Sequence, residues 1–200
     1  MSEFVIKAEK ANPSQCVLAP CVYIRIPASL HMPHVALWFY SPSPDNSGWI
    51  NRIVSYMDPP FCHCELQFVD GVACSVYMGT CVFLKKRTFD KKFYQSIVIP
   101  CTHAQHNCMR IMAQNIVTRN TRFSTINMSG AVMWGSNLGT ENTTFCSKLC
   151  ADLLLEAKLL PAEVDSTKIT PSCLHRLLYV HAPKGCTALD FRPNSTSLII

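Results

Sequence analysis

Phe61-Cys62-His63-Cys64-Glu65-Leu66-Gln67-Phe68-Val69-Asp70-Gly71-Val72-Ala73-Cys74-Ser75-Val76-Tyr77-Met78 reads as two strands joined by a tight turn. Both runs are dense in β-branched, aromatic and sulfur-bearing residues, and Asp70-Gly71 is the strongest short hairpin signal in the chain. With a side-chain period of two, His63, Glu65 and Gln67 share one face, and Cys62, Cys64, Leu66 and Phe68 share the other. A histidine beside a carboxylate supplies the base and orienting group that a cysteine nucleophile needs. Taken alone, the same residues also suit a solvated strand face.

The complementary stretch is Asn142-Thr143-Thr144-Phe145-Cys146-Ser147-Lys148-Leu149-Cys150-Ala151-Asp152-Leu153-Leu154-Leu155. Leu149, Leu153, Ala157 and Leu160 recur at three- and four-residue steps and predict a helix with one apolar face. Thr143 or Thr144 can cap its start. Cys146 then sits in the first turn, near the middle of the apolar face. Unpaired backbone N–H groups there favour a thiolate and can receive a developing oxyanion. Cys146 is therefore the candidate nucleophile, with Cys150 one turn later as the fallback. The competing assignment is a small buried hydrophobe.

A His-x-Glu strand before a hairpin, then a long interval, then Phe-Cys-Ser-x-Leu opening a helix, resembles the circularly permuted papain-like hydrolases of the NlpC class. That class includes lecithin:retinol acyltransferase-like enzymes, bacterial amidase-like proteins and proteins of large DNA viruses. The similarity extends to residues 47–56 as the short helix before the histidine strand, and to Ile169-Thr170-Pro171-Ser172-Cys173-Leu174 as the closing turn. It implies an α+β fold with an antiparallel sheet or small barrel packed against the nucleophile helix. It also implies Cys146 as nucleophile and His63 as general base. Glu65 is the candidate third member of the triad, with Gln67, Ser75 and Tyr77 as alternatives. Side chains two apart on a strand have Cβ atoms roughly 7 Å apart, so a His63–Glu65 contact needs a suitable rotamer. The implied activity is a thiol hydrolase or acyltransferase acting on a peptide, amide or lipid-ester carbonyl through a thioester, with no cofactor.

Composition suits one core. Two hundred residues with 48% hydrophobic and 16% charged content leave little room for a second domain. The expected organisation is a single domain over 1–200, with peripheral segments at about 1–20 and 185–200. The start carries neither a basic segment nor an apolar core of a secretory signal. No apolar run approaches the ~18 residues of a membrane span. The expectation is a cytoplasmic protein, in the host cell if viral. Its twelve cysteines are then read as reduced thiols rather than a disulfide framework.

Outside the hairpin, strands are expected at 22–26, 35–40, 81–85 and 94–99, and a loop at 41–48. A helix is expected over 104–117, with Cys108, Ile111, Met112 and Ile116 on related faces. Residues 118–142 should be mostly loop around a short apolar turn at 131–134, a natural wall for a cleft.

Two further clusters compete for function. Cys101, His103, His106 and Cys108 are zinc-type ligands within eight residues, though one short segment rarely wraps a tetrahedral ion. Lys85-Lys86-Arg87 with Lys91-Lys92 concentrates the net charge of +5 and could meet an anionic membrane surface, or be a solvated turn. Aromatic interleaving is lacking, so nucleic acid is not expected as a partner. The alternatives to an enzyme are a noncatalytic binding protein of this fold, such as a viral host-interaction factor, and a zinc protein.

Overall fold

Residues 61–78 form the expected hairpin. Strands β2 (His63–Phe68) and β3 (Val72–Ser75) pair antiparallel, with Leu66 opposite Cys74 and Gln67 opposite Ala73. Gly71 takes φ +78°, a left-handed conformation in which any Cβ would be strained. Its N–H donates to Phe68 O at 2.9 Å, and Asp70 Oδ1 accepts from the Val72 N–H at 3.1 Å, which closes the turn. The structure is a computed structural model and describes residues 32–42, 56, 58–125, 127–129 and 142–181.

Three more strands extend the hairpin. β1 (His34–Tyr40) pairs with β2, β4 (Phe83–Lys86) with β3, and β5 (Tyr94–Pro100) with β1, all antiparallel, in the order β4-β3-β2-β1-β5. The fold is α+β. Among the described residues the longest helices are α1 (His103–Thr118), α2 (Cys146–Glu156) and α3 (Pro171–His181). A small parallel pair, β6 (Arg122–Phe123) with β7 (Thr143–Thr144), precedes α2.

Period-two alternation divides the sheet into unlike faces. Val35, Leu37, Phe39, Cys64, Leu66, Phe68, Cys74, Ile97 and Ile99 point into the core that also holds Cys146, Leu149, Cys150 and Leu153 of α2 and Met109 and Ala113 of α1. On the other face Tyr40 stands opposite both His63 and Tyr94, and Trp38 opposite both Glu65 and Ser96. β4 and β5 are the two edges, so their connection must cross the whole sheet. Residues 87–93 make this connection, and Asp90 O accepts from the Phe93 and Tyr94 N–H groups, both at 3.0 Å, in the turn that leads into β5. Phe89 of this crossing is buried and stacks on Trp38 at 4.7 Å between ring centroids. The polar face is thus roofed over, which is why Glu65 is wholly buried and not part of a solvated surface.

Several local expectations are corrected. Thr143 and Thr144 do not cap α2 with their side chains, because they are spent on the β6–β7 pair; Phe145 is the N-cap residue, extended at φ −139° and ψ 167°. The helix also ends earlier than its apolar period suggests. Lys158, at φ +56°, donates its N–H to Leu155 O, and the Leu159 N–H donates to Leu154 O, a left-handed helix stop. Ala157 and Leu160 remain buried beyond it. In α1 the packed face is centred on Met109 and Ala113, while Ile111 is exposed. The strand expected at 81–85 begins at Phe83, with Cys81 in an isolated bridge to Arg122. Ile169–Thr170 form a short connection, and Pro171–Leu174 open α3 rather than closing a turn. The strand expected at 22–26, most of the segment 41–56, the turn at 131–134 and the terminal segments 1–20 and 185–200 lie outside the described residues.

Candidate active site

Cys146 opens α2, and the chain delivers it there through the β7 pair and the extended Phe145. No side chain caps the helix start, so the backbone N–H groups of its first turn have no capping oxygen. His63 opens β2, and the loop before it is tied to the start of α3. Ser172 Oγ accepts from the Phe61 N–H at 3.0 Å and donates to Asp58 O at 2.7 Å, while Thr170 Oγ1 hydrogen-bonds Asp58 Oδ2. Both functional side chains therefore sit at element ends. Cys146 belongs to the core side of the sheet and His63 to the roofed side, and they meet at the strand end, lining one cleft of about 330 Å³. Tyr40, Tyr94, Met78, Phe123 and Met128 rim it. Both are nearly sealed, with Cys146 3% and His63 9% exposed.

Behind His63 lies a polar network. His63 Nε2 is 3.5 Å from Glu65 Oε1 and 3.4 Å from Ser75 Oγ. Tyr77 stacks its ring on the imidazole at 4.9 Å and donates its hydroxyl to Glu65 Oε1 at 2.7 Å. Arg87 Nη2 lies 3.2 Å from the same oxygen. Gln67 takes no part in orienting His63. Its Oε1 accepts from Trp38 Nε1 at 2.9 Å, and its Nε2 donates to Gly71 O and Arg87 O at 3.1 and 2.8 Å. Glu65, Ser75 and Tyr77 thus all reach the His63 side of the network, and Gln67 does not.

The electrostatics follow from these contacts. A hydrogen bond from Cys64 does most to hold the Cys146 thiol well below the ordinary thiol range; burial opposes it, and the charge and hydrogen bond of His63 add to the lowering. Burial alone would depress the His63 imidazole, but the charge and hydrogen bond of Cys146, followed by those of Glu65, push it up to about 10. Burial would also raise the Glu65 carboxyl. His63, Tyr77 and Arg87 together outweigh that and hold it below its usual value. A thiolate facing an imidazolium is the state these shifts favour. Neighbouring thiols behave oppositely: burial pushes Cys62 up to about 12 and Cys64 well above the usual thiol value. Cys150 is completely buried in the core.

The other clusters separate. Thr102 and Gln105 form a capping box that starts α1, so the segment containing the two histidines is a helix start. Cys101 Sγ donates to Pro33 O at 3.5 Å, His106 meets the Phe68 ring edge-on, and Cys108 Sγ donates to Glu156 O at 3.9 Å. Among the described residues no three His, Cys, Asp or Glu side chains gather as a metal site would require. In the basic run Lys85, Lys86, Lys91 and Lys92 are exposed, but Arg87 turns inward to Glu65. The residues that sequence reasoning missed are Arg87 in this role and the roofing Phe89. Nothing local in a Lys-Lys-Arg run marks one member as buried. Among the described residues no helix is long and apolar enough to cross a membrane, and every cysteine is a free thiol. No family model, no curated protein and no solved structure matches the chain.

Proposed function

We propose that this protein is a thiol hydrolase or acyltransferase with Cys146 as nucleophile, His63 as general base and Glu65 as the orienting carboxylate, on a permuted papain-like framework. One observation carries the reading: a thiol at an uncapped helix start shares a cleft with an imidazole that is backed by a buried carboxylate. The histidine strand precedes the nucleophile helix and an antiparallel sheet packs against that helix, which supports the permuted arrangement.

The chemistry follows from the groups present. His63 Nε2 is turned to Glu65 and Ser75, which leaves Nδ1 for the thiol. The Cys146 thiolate attacks an amide or ester carbonyl carbon, and the carbonyl π pair moves onto oxygen. Backbone N–H groups at the start of α2 stabilise that oxyanion. The intermediate collapses, the bond to the amine or alcohol breaks, and the His63 imidazolium gives its proton to that leaving group. A thioester remains on Cys146. Water, or an acceptor alcohol or amine, then loses a proton to His63, attacks the thioester and regenerates the thiolate.

The test is alkylation and acylation of the folded protein with electrophilic probes bearing peptide or acyl-chain recognition groups, mapped by mass spectrometry. Cys146 should label faster near neutral pH than any other cysteine. His63→Ala should slow it, by up to about thirtyfold at pH 7, the thiolate fraction lost if the thiol returns to a pKa of about 8.5. An inert Cys146 would instead favour a noncatalytic binding protein.

A further inference from the structure

Glu65 is wholly buried, and its three polar partners converge on one oxygen. Oε1 receives the Tyr77 hydroxyl, the Arg87 guanidinium and the His63 ring, while Oε2 is buried without a hydrogen-bond partner. A buried carboxylate stays charged only beside compensating charge. The charge on His63 depends on the thiolate it pairs with, and Tyr77 is neutral. Arg87 is the one permanent cation in this set.

Arg87 is also built into place. It follows β4 at the beginning of the crossing, its N–H donates to Gly71 O at 3.1 Å, and its carbonyl accepts from Gln67 Nε2 at 2.8 Å. Gln67 is in turn held by Trp38. The guanidinium lies over the rings of Tyr77 and Phe89, at 5.6 and 5.4 Å from their centroids. Backbone and guanidinium are both constrained, which is unlike the freely rotating end of a surface arginine.

We propose that Arg87 is a positioning residue of this site: it holds Glu65 as a carboxylate against the His63 ring and so extends the acid range over which that ring is oriented for turnover. The inference rests on the function proposed above. Besides Tyr77, the titratable groups near the network are Tyr40 on β1, Tyr94 on β5, Cys62 just before β2 and, on the core side of the sheet, Cys64 and Cys74. Burial pushes each of these thiols and phenols up, so none contributes charge near neutrality. Protonating Glu65 removes the anion that orients the imidazole and stabilises its charged form, so the acid limb of turnover follows the Glu65 carboxyl.

The experiment is kcat for an activated ester, followed across pH with the full chain, for wild type, Arg87→Gln, Arg87→Lys, Glu65→Gln and the double variant Glu65→Gln/Arg87→Gln. The wild-type rate should persist well into the acid range. Arg87→Gln should move its acid limb up by about one pH unit, the effect of losing one close charge, and Arg87→Lys should restore most of that shift. In the Glu65→Gln background Arg87→Gln should add nothing. Removing both partners leaves no unpaired buried charge, so this comparison decides the matter even if Arg87→Gln alone does not fold. A further shift in the double variant, or a folded Arg87→Gln with an unmoved acid limb, overturns the role of Arg87 and leaves the thiolate pair standing. A wild-type profile that rises only near an ordinary thiol pKa of about 8.5 overturns both.

Discussion

The phenol of Tyr77 donates a 2.7 Å hydrogen bond to Oε1 of Glu65, a diagonal contact between β2 and the chain just beyond β3. Continuing the β2–β3 register places Ser75 opposite Glu65 and Tyr77 opposite His63. The two diagonals, Tyr77 to Glu65 and Ser75 to His63, therefore cross the hairpin in opposite directions. A carboxylate two residues along the strand from His63 is drawn back towards it by the neighbouring strand's Tyr77.

Because Glu65 carries the charge and Tyr77 and Ser75 only direct it, Glu65→Gln should lower turnover of an activated ester by at least roughly tenfold, through lost orientation and imidazolium stabilisation. Tyr77→Phe and Ser75→Ala should cost less. Steady-state rates on variants with matched thermal melts check this order. Equal losses in all three would indicate a shared structural collapse instead.

Activity should fall as pH rises through about 10, where His63 loses the proton it must give to the leaving group. The sign follows from the state required: below that value the imidazolium is present, above it the ring is neutral. The alkaline limb of kcat reports this group. It should shift down in Glu65→Gln, since the carboxylate is one of the groups that raise His63.

Stability should decline on the acid side through His175. Its ring packs against Phe39 and Phe61 at 5.0 and 4.7 Å, its Nε2 has no hydrogen-bond partner, and burial, aided by Arg176, holds it below the ordinary value of 6.5. Below 6.5 the unfolded chain takes up this proton before the folded one does, so unfolding becomes easier as pH drops from there towards the folded value. Above 6.5 the term vanishes. Urea titrations at several pH values should show the slope in wild type and a flatter one in His175→Leu.

Turnover should survive chelation, since the thiolate does the work that metal-bound water does in metallohydrolases. Assays with and without a strong chelator test this. Loss of activity that zinc restores, and that requires Cys101, His103, His106 and Cys108, would replace the thiol mechanism.

The sequence alone determined the local parts. Alternation and Asp70-Gly71 specify the hairpin, and with it the shared face of His63 and Glu65, because a strand has a period of two and a turn at positive φ suits glycine. The apolar period from Leu149 onward specifies the helix that carries Cys146 in its first turn, although not where that helix ends. Tertiary structure decided the rest. Whether the His63–Glu65 face is solvated or sealed depends on residues 87–93, which must cross from one sheet edge to the other, and that path follows from strand order, which no local pattern encodes. The same crossing turns Arg87 away from its exposed lysine neighbours and onto Glu65. Long-range pairing likewise took Thr143 and Thr144 from capping into β7, leaving the helix start beside Cys146 without a side-chain cap. Propensity and period act over a few residues. Burial and the charge state of a carboxylate depend on what the distant chain lays over it.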